Sequence, residues 1–534
     1  MSRLKVIFPY LLAVLAGVLV SLGWISPCPT LVMLVAFVPL LFAENMVAND
    51  GRKAKLLRVG ILGFIYVYAH DAINLYPLTL LFKGWTFLFF CFNSLIYAVL
   101  FSLFSLARRK CGNVWGYIAF VAFTVLFDFI LLKIDFSFPA MPVGFLMIGI
   151  SETGLPFMQW YEYTGLLGGS LWVLSVNALA YILLRNIIDN RKLSIPVLSS
   201  LIAVMVVPIA LSLLIYFTYE EREAPVNFVL VQPNIDPYNE KFSIGPTEQR
   251  DRLVSLAREF ADSTTDFIVF PETALDSNFW YNNMDDNGMV AYLRDSFMVD
   301  YPEANLITGA RILQYFQSVM PPSHSAMKAG EGLYVQMYNA AFQVAFGQQV
   351  QVYKKEKLVL GTERNPFKKK WKSNFSGSQE INLARAEEQV VLKSRKAKVG
   401  TFICYESLFG SYCAAFADKG ADILCSISND GWWLDTDLPL KHLRHSQVRA
   451  IETRRSVARC GNTGITAGID QCGRIVAQAP WWKSTALRVA LNRNKTKTVY
   501  AQWGDYVGWL DALLSLFVIC LLVFKWAVVT ASKH

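Results

Sequence analysis

Long apolar stretches broken by short polar ones fill the first part of the chain, and the pattern changes after about residue 218. Apolar runs lie near 6–25, 29–45, 57–79, 84–106, 114–134, 166–186 and 196–218. Each is close to the ~20 residues a helix needs to cross the hydrocarbon of a bilayer, so seven membrane helices are predicted. The first run is too long for the apolar core of a cleavable leader, no small-residue cleavage pattern follows it, and a second run comes at once. Between 135 and 165, Pro and Gly interrupt an apolar, aromatic stretch (FSFPAMPVGFLMIGISETGLPFMQW). That texture suits an interfacial or re-entrant segment better than a full span. An eighth run, about 507–528, closes the chain before Lys533 and His534.

Residues 219–500 read differently. Short strand-like runs (VNFVLVQ, DFIVF, NLITGA, AAFQVAF, KVGTFIC, DILCSISND, TGITAGID) alternate with polar helical stretches such as Thr247–Asp262 and Leu438–Arg455. This is the alternation of a soluble domain that mixes sheet and helix. The expected organisation is a membrane domain over 1–218, an α/β domain over 219–500, and an eighth membrane helix with a short tail over 501–534.

Composition agrees with that division. Of 534 residues, 54% are hydrophobic and 17% charged, which is far from the balance of a soluble protein of this size. The net charge of +9 does not point to nucleic acid, because no zinc-finger spacing and no base-reading basic helix is present. The basic residues fall in alternate loops instead: Arg3 and Lys5; Arg52, Lys53, Lys55 and Arg58; Arg108, Arg109 and Lys110; Arg185, Arg191 and Lys192. If all seven spans cross, these clusters share one side, the cytoplasm by the positive-inside rule. The α/β domain follows an odd number of spans and is expected outside. Nine cysteines are scattered with no CxxC pair, so neither a disulfide framework nor a zinc site is expected. His442 and His445 stand at i,i+3 spacing but show no third ligand. Asp128 and the His70-Asp71 pair fall inside predicted spans, where ionisable groups are functional candidates by default and helix packing is an equal alternative.

Three segments each put a reactive side chain where a strand-like run ends. Glu272 follows FIVF and Pro271, Lys355 follows the run ending at Tyr353, and Cys404 ends VGTFI. A carboxylate, an amine and a thiol are the parts of thiol acyl transfer: a base for the thiol proton, a cation for the oxyanion, and a nucleophile. The Tyr405 N–H, directly after the thiol, is a candidate second oxyanion donor. Lys354 and Lys357 compete with Lys355 for the role of the cation.

Taken in order, Glu, Lys and Cys in PET, YxK and CYE contexts resemble the nitrilase (carbon–nitrogen hydrolase) superfamily. The wider pattern is similar to the apolipoprotein N-acyltransferase family. It includes LVQPNI (230–235), Tyr338-Asn339, the Lys355 to Glu363 spacing, SNDGWW (428–433) and RAIETRRSVARCGNTGITAGID (449–470). The resemblance implies a nitrilase αββα sandwich between seven membrane helices and an eighth. It implies Glu272 as general base, Lys355 as oxyanion stabiliser and Cys404 as nucleophile. Glu363, Tyr405, Glu406, Asn339 and Phe242 are implied as supporting or substrate-binding positions. Many relatives carry Trp where Phe242 stands, and PFGE where this chain reads LGTE (360–363).

The implied reaction is ping-pong. An acyl chain leaves a phospholipid for Cys404, and the thioester is then taken by the N-terminal amine of a diacylglyceryl-cysteine apolipoprotein. The implied setting is the bacterial inner membrane, with the catalytic domain on the periplasmic side, a monomeric chain, and no cofactor or metal. Two alternatives stay open: a membrane-anchored amidase of the same superfamily that passes the acyl group to water, and a non-catalytic lipid-binding membrane protein. The basic, aromatic loop RNPFKKKWKSNFSG (364–377) reads equally as a phosphate contact or as a solvated loop.

Overall fold

The computed structural model describes residues 3–25, 30–134, 141–364 and 382–531. The basic loop after Arg364 and the residue Cys28 lie outside them. The chain forms two compact units, Met1–Thr218 with Asp505–His534, and Tyr219–Gly504.

Among the described residues of the first unit, eight helical segments are long and apolar enough to cross a membrane. Local chemistry sets their limits. The second begins as a 3-10 turn, Thr30–Leu34, and continues as the helix Val38–Asn49 with Pro39 at its first turn. The third, Lys55–Asn74, stops short of the predicted residue 79 because a 3-10 turn containing Pro77 follows. The sixth, Tyr161–Asn190, runs longer than predicted and contains a non-helical Gly165 at φ 64°.

The broken stretch before that sixth helix holds a short helix, Val143–Leu146, and a 3-10 turn, Leu155–Phe157. Its amides bond to neighbouring helices. Val143 N–H donates to Asp128 Oδ2 at 3.0 Å, Gly144 N–H to Ser170 Oγ at 2.8 Å, and Ile150 N–H to the Gly23 carbonyl at 2.8 Å. Irregular backbone is tolerated at membrane depth only when protein groups satisfy it in this way.

The second unit carries fourteen strands among the described residues. The first seven are β1 (Pro225–Gln232), β2 (Phe267–Val269), β3 (Leu275–Trp280), β4 (Asn305–Gln317), β5 (Met327–Gly330), β6 (Leu333–Ala345) and β7 (Gln351–Lys354). The others are β8 (Val391–Lys393), β9 (Lys398–Ile403), β10 (Ile423–Ser428), β11 (Val457–Gly461), β12 (Ala467–Ile469), β13 (Ile475–Gln478) and β14 (Thr485–Asn492). One sheet runs β14-β1-β2-β4-β6-β5, with β3 on β4 and β7 on β6; the other runs β13-β12-β11-β10-β9-β8.

The central strands β1, β2 and β4 are parallel to one another, as are β9, β10 and β11. Parallel strands need both faces covered, and β2, β9, β10 and β11 are buried almost throughout. The sheets pack face to face through β1 and β11. Helix Pro246–Phe260 covers the first sheet, and helices Gly410–Asp418 and Leu438–Thr453 cover the second. The result is an αββα sandwich.

The unit ends at Gly504, slightly beyond the predicted residue 500. The short helix Val499–Trp503 packs on Gly410–Asp418. Its cap Thr498 donates to the Glu452 carbonyl at 2.6 Å, and Tyr500 is buried.

Candidate active site

Parallel strands deliver their loops to one edge of a sheet, and in α/β folds that edge collects the chemistry. Here β2 is followed by Glu272, β9 by Cys404, β10 by Asn429 and Asp430, and β11 by Asn462. Lys355 follows β7 directly.

The Glu272 turn is drawn tight against β4. A Cβ at Gly309 would stand 2.7 Å from the Glu272 Cα, so only glycine fits there. The Glu272 carboxylate is nearly buried. Its Oε1 accepts from Asn339 Nδ2 at 2.7 Å and Lys355 Nζ at 3.2 Å, and its Oε2 accepts from the Asn429 N–H at 3.1 Å.

Of the three candidate lysines, Lys355 is the one buried between carboxylates. Its Nζ is 3.2 Å from Glu272 Oε1 and 2.9 Å from Glu363 Oε1, and it is 1% exposed. Burial alone would push its ammonium down, yet the charges of Glu272 and Glu363 hold it well above the ordinary lysine range. Lys354 lies over the Tyr281 and Tyr338 rings instead, and Lys357 pairs with Glu356.

Asn339 bridges the two acids, donating from Nδ2 to Glu272 and to Glu363, each at 2.7 Å. Glu363 Oε2 also accepts from the Val359 N–H at 2.9 Å, which ties its own loop into the cluster.

Cys404 is partly exposed and has φ +49°, a left-handed conformation that costs a non-glycine residue about 1–2 kcal/mol. It opens a 3-10 turn, Cys404–Leu408. Burial, and then the charge of Glu272, push its thiol well above the ordinary range, against the opposing pull of Lys355. The resting group is therefore a neutral thiol that needs a base.

Glu406 is fully buried and clamps two chain segments together. Its Oε2 accepts from the Ile403 N–H at 2.8 Å and Tyr353 Oη at 2.5 Å, and its Oε1 from the N–H groups of Glu356 and Lys357 at 2.7 and 3.2 Å. The carboxylate thereby holds the Lys355 strand end against the Cys404 turn. Burial pushes its carboxyl up to about 7, against these donors. Tyr405 packs edge-on against Phe409. Phe242 is exposed and is not part of the hydrogen-bonded cluster.

Lys241, Asn429, Asp430 and Asn462 were not singled out as residues from the sequence, and His442 was singled out only for its spacing to His445. Lys241, beside Phe242, donates Nζ to the Thr273 carbonyl and to Gln249 Oε1, bracing the turn that carries Glu272. Asn462 donates to Asn429 Oδ1 at 3.0 Å, behind the amide that meets Glu272. His442 pairs with Asp430 and with the Cys404 carbonyl, and His445 is not part of that contact. Asn429 and Asp430, within the SNDGWW motif, follow β10 as Cys404 follows β9, and that strand-end position was the available signal.

Ligand-type atoms of Cys404, Asp430 and His442 lie within 4.8 Å of one another. A resident metal does not fit there, because the Arg459 guanidinium already bonds Asp430. His442, beside them, is already bound to Asp430 and to the Cys404 carbonyl.

The carbon–nitrogen hydrolase family pattern matches residues 230–501. An apolipoprotein N-acyltransferase of Chlorobaculum tepidum is 31% identical over 395 residues, 70% of each chain. Another, of Geobacter metallireducens, is 25% identical over 533 residues, 94% of this chain and 92% of that one. A carbon–nitrogen hydrolase superfamily structure from Xanthomonas campestris superposes with a TM-score of 0.35 at 16% identity, covering 50% of this chain and 90% of that one. By the family pattern over residues 230–501 and the 31% identical relative that covers 70% of both chains, the chain belongs to the apolipoprotein N-acyltransferase family of carbon–nitrogen hydrolases.

Proposed function

We infer that the protein is a membrane acyltransferase that moves a phospholipid acyl chain to the N-terminal amine of a diacylglyceryl-cysteine apolipoprotein. The observation that carries the chemistry is the buried Glu272–Lys355–Glu363 cluster, whose charges all reach the Cys404 thiol. In the first half, Glu272 takes the Cys404 proton as sulfur attacks the acyl ester carbonyl. The Lys355 ammonium and the Tyr405 N–H stabilise the oxyanion. The carbon–oxygen bond then breaks, Glu272 returns the proton to the leaving lysophospholipid, and a thioester remains. In the second half, the neutral α-amine attacks the thioester, Glu272 takes the amine proton, and carbon–sulfur cleavage regenerates the thiol.

A thioester also reacts with water, so the buried setting of the cluster matters as much as its charges. Membrane-length helices suit two substrates whose acyl chains bind them to the bilayer at roughly 0.8 kcal/mol per buried CH₂. The basic loops between the helices favour a cytoplasmic placement for that side. The catalytic unit is then periplasmic, on the face of the inner membrane from which lipoproteins are finished. A single chain supplies every group named in this scheme.

The test is intact-mass analysis of the detergent-purified protein with phospholipid and no acceptor, with Cys404→Ala as control. The expected result is a gain of one acyl chain at Cys404, discharged by a diacylglyceryl-cysteine peptide that becomes N-acylated. An adduct that water removes while the peptide stays unmodified would replace transfer by hydrolysis. No adduct would overturn the phospholipid as donor.

A further inference from the structure

Cys404 holds a conformation that a side-chain-bearing residue rarely adopts, and something must keep it there. The group in place to do so is His442. Its Nε2 lies 2.9 Å from the Cys404 carbonyl oxygen. A carbonyl only accepts, so Nε2 carries the proton and donates it. On the other side of the ring, Nδ1 lies 2.7 Å from Asp430 Oδ1.

Asp430 is held in turn. It accepts from Arg459 Nη2 and, at 3.2 Å, from Ser428 Oγ. Burial would push its carboxyl up, but His442 and Arg459 outweigh that and keep it below the ordinary range. Arg459 is fixed through Nε to the Ile465 carbonyl at 3.1 Å and through Nη1 to Ser446 Oγ at 3.3 Å. His442, Asp430 and Arg459 are 8%, 0% and 0% exposed. The series runs from β11 and the helix Leu438–Thr453 to the backbone of the nucleophile.

We propose that His442, oriented by Asp430 and Arg459, is the positioning residue that fixes the Cys404–Tyr405 peptide unit for acyl transfer. The peptide is planar and trans, so its carbonyl and its N–H point in opposite directions. A hydrogen bond to the Cys404 carbonyl therefore also fixes the Tyr405 N–H, and polarises it as a donor. The same geometry excludes a Cys–His catalytic pair. Nε2 is committed as a donor to the carbonyl and Nδ1 faces a carboxylate, so the imidazole presents no lone pair to the thiol. The thiol proton is left to Glu272.

This inference rests on the acyl-transfer reading, and one experiment separates the two. Acyl-enzyme formation from phospholipid is followed by intact mass in the wild type, His442→Leu, His442→Gln and Asp430→Asn, alongside alkylation of Cys404 by iodoacetamide across pH. Alkylation needs the thiol but not the oriented peptide. His442→Leu is expected to slow acyl-enzyme formation at least 100-fold at saturating lipid, with KM within about threefold and the alkylation pH profile unchanged. His442→Gln, which keeps a side-chain N–H at similar reach, is expected to recover tenfold or more of that loss. Asp430→Asn, which keeps shape, is expected to lose about tenfold and reports on the same series if His442→Leu does not fold.

Acylation by His442→Leu within threefold of wild type would overturn the proposal. So would Gln behaving like Leu, or a shifted alkylation profile that makes His442 the base. Absence of any acyl-enzyme in the wild type would instead overturn the acyl-transfer reading itself.

Discussion

The two units bury charge in opposite ways. In the membrane unit three buried carboxylates, Glu44, Asp71 and Asp128, are each closed by their own partners. Glu44 meets Arg108 at 2.9 Å, and Asp71 meets His70 Nδ1 and Asn93 Nδ2, each at 3.0 Å. Asp128 accepts from Ser170 Oγ at 2.6 Å and from the Val143 amide at 3.0 Å. In the catalytic unit the pairing does not close. One ammonium, Lys355, serves two carboxylates, Glu272 and Glu363, beside a thiol. Desolvation is costly in both places. Closed sets hold helices together, whereas a set with one carboxylate to spare has a place to put a proton. Asp128, bonded to Ser170, and Asp71, bonded to Asn93, therefore read as helix-joining groups.

The comparison breaks most severely at Lys355. Lys355→Met leaves two carboxylates facing each other without a cation. Acyl transfer should fall by about 10³-fold or more, and thermal melting in detergent should show a loss of about 3–5 kcal/mol. A variant that keeps activity within tenfold would remove Lys355 from its role.

Next comes Glu363→Gln, which closes the set by leaving Lys355 to Glu272 alone. Glu272 is then more firmly held as a carboxylate and is a weaker base. Turnover should drop by about 100-fold with little change in melting temperature. Unchanged turnover would show that the second carboxylate is structural.

The thiol gives a smaller effect with a definite sign. Burial and Glu272 hold the Cys404 proton on, so the thiolate fraction grows with pH throughout the accessible range. Iodoacetamide alkylation should rise about tenfold per pH unit up to pH 9 without a plateau. Glu272→Gln removes a charge that raises the thiol, and should bring a plateau to lower pH. A plateau near neutrality in the wild type would contradict the neutral resting thiol.

The smallest effect belongs to the membrane unit. Asp128→Asn keeps acceptor capacity for Ser170 and the Val143 amide. It should lower stability by about 1 kcal/mol and leave turnover within about twofold. A loss of tenfold or more in turnover would make Asp128 part of the chemistry.

Much of the architecture was legible because membrane length and strand alternation are local properties. The third helix was read too long because apolarity continues past Asn74 while Pro77 ends the helix. The strand-end positions of Glu272, Lys355 and Cys404 were legible for the same reason. The helix Leu438–Thr453 was legible as a helix, but its burial was not. Lys441, His442, Arg444, His445, Arg449 and Glu452 give it a polar reading, yet the structure buries nearly its whole length. Arg449, Arg455 and Arg459 are among the largest fully buried side chains. Arg455 meets the carbonyls of Ala421 and Thr496, and Arg459 meets Asp430, all distant in sequence, so periodicity carries no trace of these contacts. Glu406 was singled out, but its work as a clamp depends on the amides of Glu356 and Lys357 returning from fifty residues away.

The elevated Cys404 thiol has a consequence for survival. On the periplasmic side proposed for this unit, thiols are readily oxidised to disulfides, and oxidation proceeds through the thiolate. Cys413, Cys425, Cys460 and Cys472 escape by being sealed in the interior. Cys404 must stay open to substrate and has no such shelter. Holding its proton until an ester arrives gives it protection by protonation state: the resting enzyme presents little thiolate to an oxidising compartment and generates it for the time of a single attack.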